Sequence, residues 1–340
     1  MEAARILAVF PSPAKSHQIV FRALVEGLLA NGLQLTVMGP DPIQTDNPNI
    51  TQIDWSFAYK IIEQESDVAR ATQERWSPLR VAEQVLLVAK LFMKAELSHP
   101  EVKALIKNRR NNCFDVVIVE YFQMTPYHAF AELFNAPLIG ITSIDTISMV
   151  HSSVGNVANV VAHPELHLKF TTNLSFLQRL QAFVDRLFVN FYLMPREFAQ
   201  YDEIIEHHFG SNMTKSKQLM NRVDFLMVNT EPALGFIRPL VPQSIQLGFL
   251  HIKPPQPLDG ELQRYLDSSH HGVIYFSLGT LIRTSSLNQH NIRLFIDVFK
   301  SLKYNVLWKC DSEINLEGAR NVRLMSWVPQ QDVLGRYYKR

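Results

Sequence analysis

The sequence predicts an α/β protein of parallel sheets in two domains, and three observations predict it. Short apolar runs alternate with helical periodicities along most of the chain, the pattern of strand–helix–strand units whose strands run parallel. A Pro-rich stretch, Pro254-Pro255-Gln256-Pro257, reads as a stiff linker, and beyond it the same plan starts again. The 340 residues are long enough for two domains, and an apolar share of 47% with 19% charged is ordinary for a soluble globular chain.

The elements follow in order. Residues 5–10 form an apolar run closed by Pro11 and Pro13, a buried first strand. Residues 16–31 place Ile19, Ala23, Leu24 and Leu28 on one helical face, with Ser16 suited to the N-cap and Gly32 to the stop. Residues 33–38 make a second strand. Further strands are expected at 115–120, 137–141, 224–229 and 244–247, with a helix near 126–134. Between about 150 and 220 the chain reads as helical and rich in aromatics, among them Phe176, Phe183, Phe188, Phe191 and Tyr192. Their periodicity fits helix packing in the core; an apolar acceptor pocket or a membrane-skimming face is the other reading. In the second half, strands are expected at 273–277, 305–309 and 322–325, with a helix near 287–300. The expected domains are 1–250 and 261–340, joined by the linker at 251–260.

Composition excludes several function classes. Net charge is 33 − 32 = +1, so no basic field points to nucleic acid. Cys113 and Cys310 are too few and too far apart for a disulfide framework or a Cys-type zinc site, and read as free thiols. No apolar run is long enough to span a membrane, and Met1-Glu2-Ala3-Ala4 leads into a strand with no signal peptide. Sequons at Asn49, Asn173 and Asn212 hint at a lumenal setting, although about two arise by chance at typical residue frequencies.

Two residues could carry proton chemistry. After the first strand comes Pro11-Ser12-Pro13-Ala14-Lys15-Ser16-His17, with no Gly-x-Gly-x-x-Gly. The missing fingerprint argues against a nicotinamide oxidoreductase. His17 falls where the first helix begins, on the edge where open α/β sheets bind ligands. The positive helix N-terminus disfavours imidazolium, and a neutral imidazole is what a general base needs. Glu120 ends the apolar strand Val116-Val117-Ile118-Val119 on the same edge. If the two strands are close, the carboxylate can hold one imidazole nitrogen while the other faces a substrate hydroxyl, as in a Ser-His-Asp triad with the alcohol in place of serine. Alternatively, His17 is a partly exposed histidine and Glu120 caps its loop.

Four segments add to this: Pro13-Ala14-Lys15-Ser16-His17, Phe114-Asp115-Val116-Val117, Ser277-Leu278-Gly279-Thr280 and Trp327-Val328-Pro329-Gln330. In this order and spacing they resemble the UDP-glycosyltransferase family, over essentially the whole chain. The resemblance implies a GT-B-like fold of two Rossmann-like domains, the second incomplete. It implies inverting transfer of a hexose from a UDP-sugar, most naturally UDP-glucose, to a hydroxyl of a small lipophilic acceptor. His17 would be the general base and Glu120 its orienting carboxylate, where many members carry aspartate. Ser277, Gly279 and Thr280 would hold the diphosphate, Trp327 would stack on uracil and Gln330 would lie beside the nucleoside. Asp115, at the start of its strand, reads as structural. No metal is implied, since no Asp-x-Asp pair occurs, and no cofactor beyond the UDP-sugar co-substrate. The family setting is the endoplasmic reticulum membrane and lumen, a role in detoxification, and homo- or hetero-oligomers.

After Gly335 the sequence leaves the family pattern as Arg336-Tyr337-Tyr338-Lys339-Arg340. The expectation is therefore a fragment, ending within the nucleotide-sugar signature and impaired in transfer. A non-catalytic form that binds acceptors or full-length partners is the alternative.

Overall fold

A computed structural model describes residues 3–66, 71, 74, 76–122, 124–235, 237–279, 284 and 287–336. The chain divides into two compact units, residues 1–66 with 76–251, and residues 67–75 with 252–340.

The first unit is built on seven strands: β1 Arg5–Val9, β2 Gln34–Gly39, β3 Ile50–Asp54, β4 Val116–Glu120, β5 Leu138–Thr142, β6 Phe225–Val228 and β7 Ser244–Gln246. They line up as β3-β2-β1-β4-β5-β6-β7, and every pairing is parallel. Cover on both faces explains why the central runs are apolar almost throughout. Ile6 and Ala8 of β1 join Ile118 of β4 on one face, against Val20, Phe21 and Val25 of the helix Lys15–Ala30. Leu7 and Val9 join Val117 and Val119 on the other face. There the helix Pro78–Leu97 supplies Val88, Phe92, Met93 and Leu97, and the helix Met194–Phe209 supplies Tyr201 and Ile204.

The second unit repeats the plan with β8 Val273–Ser277, β9 Asn305–Lys309 and β10 Val322–Met325, ordered β10-β9-β8 and all parallel. Val306 and Trp308 of β9 face Ile292, Ile296 and Phe299 of the helix Gln289–Ser301. Leu307, between them, faces the other way onto Leu262 and Leu266 of the helix Gly260–Ser268. The Pro-rich stretch is tied down within this unit. Gln256 N donates to Asp332 Oδ1 at 2.7 Å, and a Cβ on Gly335 would meet Pro255 Cβ at 2.7 Å. Glycine is therefore what lets the helix Gln330–Gly335 lie against the prolines.

Two expectations change, and one strand joins those expected. Ser16 is not the cap: the first helix begins at Lys15 with Ala14 as N-cap and no side-chain cap, while Gln18 secures the loop by donating to Phe10 O and Ser12 O at 3.0 and 2.8 Å. β3 was not anticipated, because Ile50–Asp54 is short, mostly polar and at the sheet edge, where one flank needs no apolar cover. The aromatics at 176–192 are not core. Phe176, Phe183, Phe191 and Tyr192 are 77%, 52%, 78% and 47% exposed. Periodicity establishes that a face exists, not which side of it the protein covers.

Candidate active site

The order β2-β1-β4-β5 reverses the direction of winding between β1 and β4, which are paired directly, with Val9 opposite Val119. Helices leave such a pair on opposite faces, so a crevice opens at the carboxyl ends of the two strands. His17 follows β1 and Glu120 ends β4, so the topology places both at this switch point.

Their side chains meet there. His17 Nδ1 lies 2.7 Å from Glu120 Oε1, and the Ser12 backbone N–H donates to Glu120 Oε2 at 2.9 Å. Both oxygens of a carboxylate only 1% exposed are thus engaged, which fixes its orientation. With Nδ1 held by the carboxylate, Nε2 carries the lone pair of the neutral imidazole, and the ring keeps 20% of its side-chain surface open. Burial pushes the His17 pKa down, but the hydrogen bond and charge of Glu120 push it up and prevail, so the net direction is upward. The carboxylate thus overrides the helix N-terminus, which by itself disfavours the cation. Phe122 sets its ring edge-on to the imidazole, with centroids 6.2 Å apart. Lys15 and Arg22 both pair with Asp41, anchoring the start of the helix that carries His17.

Asp115 sits at the other end of β4, where its Oδ2 accepts from the Arg5 N–H at 2.7 Å. It holds β1 in register, a structural role. Sequence reading missed Glu96, on the helix Pro78–Leu97, which is fully buried and accepts from the Tyr127 hydroxyl. Burial above all, with the Glu120 charge adding to it and the Tyr127 hydrogen bond opposing it, pushes its carboxyl well above the usual range. No spacing signal marks it, because burial of a lone carboxyl is a property of the packed helix.

In the second unit, Ser277, Gly279, Trp327 and Gln330 gather at the carboxyl ends of β8 and β10. Ser277 ends β8, and its Oγ accepts from the Gly279 N–H at 3.2 Å. Gly279 has φ +81°, left-handed backbone that an L side chain resists, and a Cβ there would meet nothing within 4 Å. Trp327 is 64% exposed just beyond β10, so it is no core aromatic at a strand end. Gln330 opens the helix Gln330–Gly335, and its Oε1 accepts from the Tyr275 hydroxyl at 3.2 Å. Lys309, at the end of the central strand β9, was not singled out from the sequence. Its Nζ donates to Gly279 O at 2.8 Å, putting a cation beside the turn. Its place opposite Ser277 in the sheet register shows only in the structure. Thr280 lies outside the described residues.

Solved structures with this architecture are glycosyltransferases of the GT-B class. The chain matches a UDP-glucosyltransferase from Polygonum tinctorium at TM-score 0.55 and 14% identity, covering 98% of this chain and 73% of that one. It matches the glycotransferase of kitacinnamycin at TM-score 0.54 and 16% identity, covering 98% and 74%. These likenesses define the fold. The family model described as "UDP-glucoronosyl and UDP-glucosyl transferase" matches residues 5–339, and the chain belongs to that family. Among its relatives, UDP-glucosyltransferase 2 of Dactylopius coccus is 30% identical over 335 residues, 98% of this chain and 64% of the relative. The ecdysteroid UDP-glucosyltransferase of Spodoptera littoralis nuclear polyhedrosis virus is 31% identical over 98% of this chain and 68% of its own length. The chain therefore spans about two thirds of the length of these curated relatives. Among the described residues no helix is long and apolar enough to cross a membrane.

Proposed function

We propose that this chain carries the acceptor-activating centre and part of the donor site of an inverting UDP-glycosyltransferase. Its substrates on this reading are a UDP-hexose, UDP-glucose first, and a small lipophilic alcohol. The observation that carries the reading is the 2.7 Å contact between His17 Nδ1 and the buried Glu120 carboxylate at the β1–β4 switch point. With Nδ1 so held, Nε2 takes the proton of the acceptor hydroxyl as the oxygen attacks the anomeric carbon. The C1–O bond to UDP breaks as the new glycosidic bond forms from the opposite face, which inverts the configuration. Glu120 stabilises the imidazolium that results, because the charge it faces grows in the transition state.

UDP leaves as an anion and needs compensation. On this reading the Ser277–Gly279 turn, with Thr280 next in the chain, receives the diphosphate, and Lys309 adds a positive charge. Trp327 offers an open indole face for uracil, and Gln330 an amide for the nucleoside. Relatives named as UDP-glucosyltransferases support glucose as the sugar. The family setting in the endoplasmic reticulum belongs to the same proposal, and Asn173 and Asn212, two of the three sequon asparagines, are exposed.

The test joins two readouts. His17→Ala is expected to lower transfer from UDP-glucose to a phenolic or steroid alcohol by about 10²–10⁴-fold, the usual worth of a positioned base. UDP affinity by calorimetry should stay within about twofold, since the base does not hold the nucleotide. Because the chain spans about two thirds of its relatives, the assay is run on the 340-residue chain and on a chimera continued with the remaining Dactylopius coccus segment. Transfer that survives His17→Ala in the chimera would sink the proposal.

A further inference from the structure

Three polar side chains open the helix Gln330–Gly335 in succession: Gln330, Gln331 and Asp332. Two of them are tied to the Pro-rich stretch. Gln331 Oε1 accepts from the Lys253 N–H at 3.4 Å, and Asp332 Oδ1 accepts from the Gln256 N–H at 2.7 Å. Successive residues of a helix point about 100° apart, so the three side chains do not share one target. Gln330 reaches instead to β8, where its Oε1 accepts from the Tyr275 hydroxyl at 3.2 Å.

One apolar cluster holds both partners of this bond. Tyr275 is half-buried, and its ring packs on the cluster of Leu262, Leu266, Leu307, Val328 and Val333. Val328 and Val333, 4% and 1% exposed, flank Gln330 in the chain and seat it on the same cluster from both sides. Gln330 itself is exposed, as is Trp327 three residues before it. The phenol therefore acts as a strut, with its ring fixed in the packing of the unit and its hydroxyl set against an exposed amide.

The two ends of that amide have nearly the same shape and opposite chemistry. The oxygen accepts, and the –NH₂ group offers two donors. An exposed glutamine that turns freely about its last bond presents either end. A phenol is a better donor than acceptor, because its lone pair is drawn into the ring, so it selects the oxygen. We propose that Tyr275 is a positioning residue of the donor site: its hydroxyl engages the carbonyl end of Gln330 and so presents the –NH₂ end to the nucleoside. The ligand group that Gln330 meets is then an acceptor, a ring carbonyl or a ribose oxygen, and not an exocyclic amine. The gain is preorganisation, since order imposed before the ligand arrives is not a cost of binding it. The inference rests on the donor-site reading above and deepens it.

Calorimetry with UDP tests it, on the 340-residue chain and on the Dactylopius coccus chimera. Tyr275→Phe keeps the ring in its cluster and removes only the hydroxyl. It should weaken UDP binding about three- to tenfold, the worth of one neutral hydrogen bond. Gln330→Ala should weaken it at least as much. Adding Tyr275→Phe to Gln330→Ala should cost less than about twofold more, because the target of the hydroxyl is gone. Added to Trp327→Ala, the same change should cost its full amount, because stacking uses no hydroxyl. A ligand-free readout accompanies these: the side-chain amide of Gln330 should become more mobile by ¹⁵N relaxation in Tyr275→Phe. Full additivity of Tyr275→Phe with Gln330→Ala would overturn the proposal. So would a Tyr275→Phe protein that unfolds at lower urea but binds UDP unchanged, since Tyr275 would then serve packing alone. If Trp327→Ala weakens UDP and Tyr275→Phe does not, the donor-site reading stands without this inference. Indifference of UDP binding to both substitutions removes the two together.

Discussion

The two strand edges that carry the candidate residues are built in opposite ways. At the β1–β4 edge of the first unit, Glu120 is 1% exposed, and both its oxygens are occupied by His17 and the Ser12 N–H. At the β8–β10 edge of the second unit, Trp327 is 64% exposed, and the Gly279 turn has open space where a side chain would be. The difference teaches what each task needs. A base must be oriented and electrostatically tuned before substrate arrives, because reorganisation during the reaction would add to the barrier. A nucleotide platform needs an open face, since a stacking surface is completed only when the base covers it.

The buried edge can be broken by charge alone. Glu120→Gln removes the group that raises the His17 pKa. The base works when neutral, so the rate climbs as pH rises through that pKa. The acid limb of kcat/KM should therefore lie above the ordinary histidine value of about 6.5 in the parent. In the variant it should move below that value, where burial alone directs it, and the plateau should fall by about 10²-fold or more as the ring loses its orienting partner. A limb that stays in place would mean that Glu120 does not tune His17. The linked stability has the same origin. His17's folded pKa is raised, so its contribution is fully present below the unfolded pKa and is lost as pH climbs through the folded one.

The open edge is expected to respond in affinity rather than in pH profile. Trp327→Ala should weaken UDP binding by about 1–3 kcal/mol, the usual worth of stacking one base, or roughly 5–150-fold in Kd. The His17 titration followed by NMR should not move. Unchanged UDP affinity would leave Trp327 as an exposed indole with no nucleotide role, and the contrast between the edges would lose its meaning.

Gly279→Ala should have the smallest effect. Space is available for the methyl group, so the cost is conformational, about 1 kcal/mol for a left-handed residue. Urea denaturation should register it as a lowered midpoint with an unchanged slope. A loss several times larger would mean that the turn is packed more tightly than its open surroundings indicate.

Most strands of both sheets were legible in the sequence because a strand covered on both faces must be apolar throughout, as in Leu7, Ala8 and Val9 or Val117, Ile118 and Val119. β3 was not, since an edge strand can remain polar and still pair. His17 and Glu120 could be nominated from their places after β1 and at the end of β4. The sequence by itself determined these runs, the helix periods, and the motifs that mark the family. Only the tertiary structure decided that β1 and β4 are neighbours, because strand order is set by how helices pack on the two faces, and that packing joins residues 103 positions apart. It also decided that the aromatic helix at 176–188 turns its apolar side outward. Periodicity fixes the stripe, but the pairing of Asp185 with His167 and of Arg186 with Glu165 fixes its direction.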